Sequence, residues 1–228
     1  MTDLLKKLII NKVTAHLLLR PLLKLHSACY RWISRFAIVA NEGIHPKHSI
    51  IDYERWFCDN VQPGWCVLDI GCNTGILAKR LSHHAGFVYG IDINSDLIKQ
   101  AQRQNNSDNI KYICADANNF DWKVEKPIDC VVLSNVLEHI VERSVLIRNM
   151  ITRINWGANR KLLIRVPTIE RDWTAVYKKN LGLSYKLDKT HYIEYTSDGF
   201  VRELEQNGIK IDKMEMKFGE IYSICAVL

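Results

Sequence analysis

The sequence contains no CxxC pair and no apolar run of the roughly 20 residues that a membrane-spanning helix needs. Its seven cysteines are scattered and odd in number, which argues against a disulfide framework and against a cysteine metal cluster. The beginning of the chain lacks the pattern of a secretory signal, because Lys12, His16 and Arg20 interrupt its apolar stretches. We therefore expect reduced thiols and a cytoplasmic protein.

Acidic residues are nearly absent from the first 40 residues. This segment holds seven of the 31 Lys and Arg residues but only one of the 25 Asp and Glu residues, so it carries the whole net charge of +6. Residues 41–228 are neutral as a group. Because nucleic-acid enzymes more often spread basic charge around their active face, this distribution argues against a nucleic-acid partner.

The basic segment has a helical pattern. Residues 3–19 place apolar side chains on one stripe, and Pro21 suits the first turn of a second helix that runs toward Ala40. Basic amphipathic helices bind anionic membrane surfaces, which would place the protein at the inner face of the membrane. They also serve as homodimer arms or as caps over a core, and the sequence leaves these alternatives open. We assign 1–48 to this extension with its linker, and 49–228 to the main domain.

The main domain alternates between helical and strand patterns after a predicted helix at 49–60 and a turn at 63–64. The predicted strands are 65–70, 87–92, 110–114, 128–133 and 161–166, with a terminal pair at 209–217 and 220–227. The predicted helices that separate them are 75–84, 95–105, 142–154 and 197–207. This alternation predicts an α/β fold with a parallel sheet covered on both faces, in which ligands bind at the carboxyl ends of the strands.

The first of these strands ends in a turn, VLDIGCNTG at residues 67–75. Gly71 and Gly75 permit positive φ angles and a close approach of the backbone to a ligand. A dinucleotide fingerprint has three glycines at fixed spacing, and this turn matches only the first of them. Asp69, just before the turn, favours a ligand that carries an ammonium group. The alternative is a tight strand-to-helix connection that binds nothing.

Acidic residues also end the next two strands. Asp92 is placed to accept hydrogen bonds from both hydroxyls of a ribose, and Asp116 is suited to accept one from the exocyclic amine of adenine. For either residue alone, a helix N-cap is the alternative role. Acids at successive strand ends favour a nucleoside ligand.

These motifs resemble the cofactor-binding half of the class I S-adenosylmethionine-dependent methyltransferases over residues 65–140. VLDIGCNTG resembles the family's glycine motif, GIDIN its ribose acid, ADA its adenine contact and LSNVLEHI the segment after its fourth strand. The resemblance implies a Rossmann-like, doubly wound sheet of seven strands with the last antiparallel, and S-adenosyl-L-methionine as cofactor. The positions predicted to bind the cofactor are Asp69, Gly71, Cys72, Asn73, Gly75, Asp92, Ile93, Asp116, Ala117, Ser134 and Asn135.

The family usually has glycine at the position of Asn73. Asparagine tolerates the left-handed φ that the turn needs better than most residues, so we expect the turn to be kept.

A base would assist transfer to an oxygen acceptor, by about 10²–10⁴-fold in rate. His139 and Glu138, just beyond the fourth strand, are the candidates, and His191 is the next. The alternative is that Glu138 and His139 only brace the loop. Two adjacent residues cannot form a metal site alone, so no metal is predicted.

The connection 167–195 is longer than the roughly 12–15 residues usual for a connection without a function of its own. Its aromatic and basic residues predict a lid over a sugar or a phosphate-bearing acceptor, and a packed excursion is the alternative. The linker before the first strand is predicted to close the other side, unless it is only a polar linker. The candidate acceptor-binding residues are His45, Lys47, His48, Tyr53, Arg165, Arg171, Trp173, Tyr177 and Tyr192.

Two further segments, HPKHSIIDYERWF and RVPTIERDW followed by THYIEYT, resemble a bacterial methyltransferase subgroup associated with surface-glycan biosynthesis. This resemblance implies a lipid-linked or nucleotide-linked sugar as acceptor. We therefore expect O-methylation of a small molecule or glycan. An RNA methyltransferase and a catalytically inactive, cofactor-binding regulator are the alternatives.

Overall fold

The computed structural model describes residues 11–122 and 124–228. They form two compact units: one contains the described residues up to Ile51 together with Trp173–Tyr185, and the other contains Asp52–Asp172 and Lys186–Leu228. The division at residue 48 from the sequence stays a prediction.

The first unit contains one long helix, α1 (Lys12–Ala40), followed by the short α2 (Pro46–Ile51). Asn11 begins α1 with a capping box, in which its side chain accepts the N–H groups of Val13 and Thr14. In the part of the chain that the structure describes, no helix is both long enough and apolar enough to cross a membrane.

The sequence-based prediction of a helix boundary at Pro21 is wrong, because α1 continues through this residue. A proline inside a helix removes one backbone hydrogen bond, and the leucine-rich turns on either side favour helix strongly enough to continue it. The part of the predicted first helix at residues 3–10 lies outside the described residues.

The second unit is built on a seven-stranded sheet. Its strands are β1 (Cys66–Ile70), β2 (Phe87–Asp92), β3 (Ile110–Cys114), β4 (Ile128–Ser134), β5 (Trp156–Pro167), β6 (Ile209–Lys217) and β7 (Glu220–Val227). They lie in the order β3-β2-β1-β4-β5-β7-β6, and of these seven strands β7 runs in the direction opposite to the other six. The predicted α/β fold, with seven strands and an antiparallel last strand, is confirmed.

Helices connect the strands of this sheet. The helices of the second unit are α3 (Tyr53–Asp59), α4 (Ile76–Ser82), α5 (Ser95–Gln104), α6 (Arg143–Arg153) and α8 (Ser197–Gln206), whereas α7 (Trp173–Asn180) belongs to the first unit. The prediction of a single helix over 49–60 is wrong, because this segment is divided between α2 and α3 at Asp52. Asp52 adopts a left-handed conformation there, with φ of 40°, and its carboxylate caps the N–H of Arg55.

The sheet is covered on both faces, as a central parallel strand requires. All five residues of β1 are buried, and apolar clusters lie on the two sides of the sheet. One of those five residues is Asp69, a carboxyl group inside an otherwise apolar strand. Its burial next to the end of β1 locates the candidate site.

Candidate active site

The site lies where the order of the strands reverses. β1 pairs with β2 on one side and with β4 on the other, so the connections that leave these strands diverge and open a crevice at their carboxyl ends. The residues that follow β1, β2, β3 and β4 are therefore brought together, as the sequence predicts.

Two positions in the turn after β1 have a conformation and surroundings that suit glycine. Gly71 has a φ of +72°, and a Cβ atom there would lie 2.7 Å from Cγ2 of Val136. Gly75 has a φ of +79°, and a Cβ atom there would overlap the hydroxyl of Tyr112. Side chains from β3 and from the segment after β4 thus pack directly on the turn, and this packing requires glycine at both positions.

Asn73 occupies the left-handed conformation expected of it, with φ of 51°. Its N–H donates to Oδ2 of Asp92 over 2.9 Å, and Oδ1 of Asp92 accepts the N–H of Asn94 over 2.9 Å. The N-cap of α5 is Asn94, so Asp92 does not have the capping role that was its alternative. A carboxylate has about four acceptor positions, and these two bonds leave the others for a ligand.

Asp69 is 1% exposed, and its Oδ2 has no hydrogen-bond partner among residues 11–122 and 124–228. Burial raises the pKa of Asp69 to about 8, and the nearby charge of Asp92 adds to the effect. A buried carboxyl without a partner is unfavourable unless a donor reaches it. The site therefore has a position for a cationic group directly beneath the turn.

The remaining predicted cofactor positions lie at or just after the carboxyl ends of β1, β2, β3 and β4. Asp116 accepts hydrogen bonds from the backbone and side chain of Asn118 and from the side chain of Asn119, so it organises a turn and caps no helix. Asn135 has a left-handed φ of 57°, and its buried Oδ1 has no partner within the described ranges. The other predicted positions are buried Cys72, half-buried Ala117 and Ser134, and exposed Ile93.

Beyond β4, Glu138, His139 and His191 form a cluster. The ring centres of the two histidines lie 4.8 Å apart, and the backbone carbonyl of Glu138 accepts the N–H of Tyr192 over 2.7 Å. The side chain of Glu138 is fully buried, and both carboxyl oxygens have no partner in the described part of the chain. Burial raises the pKa of Glu138 to about 7.

The hydrogen bonds of Thr190 fix the tautomer of His139. The Thr190 hydroxyl donates its one proton to Oδ1 of Asp188 over 2.7 Å, because a carboxylate only accepts. Nδ1 of His139 lies 3.1 Å from the same hydroxyl oxygen and must therefore donate to it. Nε2 then carries the free lone pair. Partial burial and the neighbouring His191 lower the pKa of His139, so this ring is neutral at pH 7.

His191 is oriented by a buried acid. Its Nδ1 lies 3.3 Å from Oε1 of Glu194, whose carboxylate also accepts the N–H of Leu187 and forms an ion pair with Arg171. Although burial acts in the opposite direction, these hydrogen bonds hold the pKa of Glu194 below its usual value. Because a carboxylate only accepts, Nδ1 of His191 is the donor of its hydrogen bond to Glu194.

The three groups of the cluster could also hold a metal ion. One ligand atom from each of Glu138, His139 and His191 lies within 4.8 Å of the others. The sequence places only the two adjacent residues together, and the fold supplies the third.

Arg165 lies on β5 beside this cluster. It is 6% exposed, its guanidinium carbon lies 3.7 Å from the ring centre of Tyr53, and its Nε has no hydrogen-bond partner among the described residues. Its Nε forms an ion pair with the buried carboxylate of Glu220, at 3.9 Å. A buried cation with an unused donor is suited to an anionic group of a ligand.

Comparison with known proteins agrees with this geometry. Residues 67–155 match a family model described as a methyltransferase domain. Residues 67–155 are thus a methyltransferase domain. The chain's seven-stranded sheet with an antiparallel last strand is the one that the sequence resemblance implied.

Relatives of known name match the methyltransferase domain. A ubiquinone biosynthesis O-methyltransferase from Coxiella burnetii is 30% identical over 121 residues, which cover 52% of this chain and 50% of that protein. A protein of the same name from Bradyrhizobium diazoefficiens is 28% identical over 130 residues, which cover 56% of this chain and 49% of that protein. The chain thus spans about half the length of these curated relatives.

Solved structures share the fold. The magnesium protoporphyrin IX methyltransferase of Synechocystis PCC 6803, with bound SAH, matches with a TM-score of 0.59 at 19% identity, over 79% of this chain and 83% of that one. At this identity the likeness shows the fold alone.

Five of the predicted acceptor-binding residues lie on the first unit. They are His45, Lys47, His48, Trp173 and Tyr177. Their proposed position beside the methyltransferase site stays a prediction. On the second unit, Arg171 is engaged in its ion pair with Glu194, and Tyr192 is exposed.

Sequence reasoning missed the roles of Asp188, Thr190 and Glu194 in orienting the two histidines of the methyltransferase domain. All three lie inside the predicted lid, 49 or more positions after His139 in the chain. Their spacing carries no signal, because the pairing depends on how the connection folds back onto the segment after β4.

Proposed function

We propose that this chain is an S-adenosylmethionine-dependent methyltransferase that methylates an oxygen atom of a small-molecule or glycan acceptor. The observation that carries the proposal is the buried Oδ2 of Asp69, which has no hydrogen-bond partner among the described residues and lies by a left-handed glycine turn, with Asp92 at the neighbouring strand end. The match to a methyltransferase domain and the O-methyltransferase names of the relatives support it.

The chain's residues fit the three parts of this cofactor. Asp69 would bind the ammonium group of the methionine portion, with Gly71 and Gly75 allowing the close approach. Asp92 would accept from the ribose hydroxyls through its remaining lone pairs, and Asp116 from the adenine amine. The cofactor supplies an electrophilic methyl group on a sulfonium sulfur.

The cluster beyond β4 would act on the acceptor. Nε2 of neutral His139 is available to take the proton of an acceptor hydroxyl, while Thr190 and Asp188 hold the ring in the required tautomer. Much of the remaining acceleration can come from orientation, which is worth roughly 7–11 kcal/mol in favourable cases.

The acceptor would be an anionic sugar derivative, either lipid-linked or nucleotide-linked. Buried Arg165 supports this part of the proposal, since its Nε, which has no hydrogen-bond partner in the described part of the chain, could donate to a phosphate or carboxylate. The resemblance of the flanking segments to glycan-associated methyltransferases supports it as well.

Calorimetry tests cofactor binding directly. We expect S-adenosylmethionine and S-adenosylhomocysteine to bind in the micromolar range and NAD not to bind. Asp92→Ala should weaken binding by at least about 1 kcal/mol, because it removes charge-assisted hydrogen bonds.

Asp96→Ala is the matched control for this substitution, since Asp96 is an exposed acid whose carboxylate pairs with exposed Lys99. Its affinity should equal that of the parent. An unchanged affinity of Asp92→Ala would remove Asp92 from the cofactor site.

A further inference from the structure

Helix α1 exposes a continuous row of large apolar side chains. They recur at intervals of three, four and seven residues, which places them on one face of the helix, and each is 50–79% exposed. We call them the outer stripe: Leu18, Leu22, Leu25, Trp32, Phe36 and Val39. Exposed apolar surface of this extent on a protein usually marks a contact site.

Other faces of α1 are already occupied within its own unit. Leu23 is buried, Nδ1 of His26 lies 3.2 Å from Nζ of Lys178, and the hydroxyl of Ser34 lies 3.0 Å from Nε2 of His45. In a helix of 3.6 residues per turn, Leu23, His26 and Ser34 lie between a quarter and half a turn away from the outer stripe. The stripe therefore points away from the contacts that anchor α1.

The charge on α1 has one sign. It carries Lys12, Arg20, Lys24, Arg31 and Arg35, and no Asp or Glu. All of them except Lys12 fall on one flank of the outer stripe in a helix of 3.6 residues per turn. The guanidinium of Arg35 lies 5.4 Å from the ring centre of Trp32, at the border between the two surfaces.

We propose that α1 lies flat on an anionic lipid surface, with the outer stripe in the boundary between head groups and acyl chains. Val13, Leu17, Tyr30 and Ile33 of α1 are also exposed outside the outer stripe, so the apolar surface is broader than the stripe alone. A helix with an exposed apolar face binds at such a boundary, and basic residues on its flank attract anionic head groups. Tryptophan and long cationic side chains suit this depth, because each combines an apolar body with a polar end.

A second copy of α1 fits this surface less well. Paired helices usually match charges of opposite sign beside their apolar seam, and α1 offers only cations there. Two such helices side by side would bring the basic residues of both together without an acid on either helix.

The test uses the full-length protein with vesicles of phosphatidylcholine alone or with one-third phosphatidylglycerol. We expect cosedimentation with the anionic vesicles at least tenfold stronger than with the neutral ones. It should fall as NaCl rises above physiological strength, because surface attraction is screened within about 8 Å there. Replacing Arg20 and Lys24 together by Gln should weaken it, with helicity unchanged by circular dichroism.

Phe36→Asp should reduce binding to anionic vesicles at least tenfold. Phe218→Asp is the matched control, because Phe218 is 70% exposed against 68% for Phe36 and lies in the β6–β7 turn of the other unit. Equal binding to neutral and anionic vesicles would overturn the proposal. So would a parent protein that ignores vesicles, or a dimer in light scattering that Phe36→Asp dissociates.

Discussion

Asp69→Asn is expected to weaken cofactor binding strongly and, at the same time, to stabilise the protein without cofactor at alkaline pH. The variant keeps the size of the side chain but loses the charge that would pair with the ammonium group. A buried charge-assisted contact of this kind is worth about 1.5–3 kcal/mol or more, so affinity for S-adenosylhomocysteine should fall about 10²-fold in calorimetry.

The gain in stability follows from the raised pKa. The folded state holds the Asp69 proton up to a pKa of about 8, whereas the unfolded chain loses it near the ordinary value of 3.8. The wild-type protein therefore loses stability as pH rises between these values, and the Asn variant does not. One unit of pKa shift corresponds to about 1.4 kcal/mol. Even if only a quarter of the shift of Asp69 is realised, the Asn variant should be more stable than the wild type by about 1.4 kcal/mol in free energy of unfolding above about pH 8.

Denaturation under mildly acidic and under alkaline conditions, with Asp96→Asn as the exposed control, checks this result. A variant that binds cofactor normally, or whose advantage does not grow with pH, would show that Asp69 is not the buried acid of the site.

His139→Ala is expected to lower methyl transfer by about 10²–10⁴-fold while leaving cofactor affinity nearly unchanged. The rate of the parent should rise with pH through the pKa of His139, which lies below 6.5, because only the neutral ring accepts a proton. The variant should lose this rise. If its cofactor binding and thermal stability fall together while the pH profile is kept, His139 only braces the loop.

Thr190→Val tests whether the tautomer of His139 matters, while the imidazole ring itself is kept. Valine keeps the shape of threonine but cannot accept the Nδ1 proton, so the rate should fall and its pH dependence should shift while cofactor affinity stays the same.

A chelator distinguishes a base from a metal centre in the same cluster. We expect transfer to persist in EDTA, and loss that Mg²⁺ or Zn²⁺ restores would reassign Glu138, His139 and His191 as ligands.

The sequence predicts the sheet and the strand-end acids because both depend on local pattern. Buried strands alternate with helices, and residues at the ends of parallel strands meet at one edge whatever the loops do. The prediction at Pro21 fails because a single residue of low helix propensity does not outweigh the helix-forming turns around it. Asp52 escapes notice because a left-handed aspartate leaves no periodic signal.

Sequence reasoning names Glu138, His139 and His191 as candidates but places only the first two together. Glu138 and His139 are adjacent and follow a strand, so position alone indicates them. His191 and its partner Glu194 reach the same place only through the folding of a long connection. The sequence also cannot show that Oδ2 of Asp69 is buried without a hydrogen-bond partner among the described residues, because this depends on how the strands and loops pack around it.

Transfer of a labelled methyl group tests the central claim most directly. Full-length protein is incubated with methyl-labelled S-adenosylmethionine and with separated lipid, glycan, RNA and protein fractions of a bacterial extract. We expect label in the glycan or lipid-linked fraction, attached through an ether bond, and its loss with Asp69→Asn. Label in RNA would contradict the proposed acceptor, and cofactor binding without transfer to any fraction would indicate a regulator that has lost catalysis.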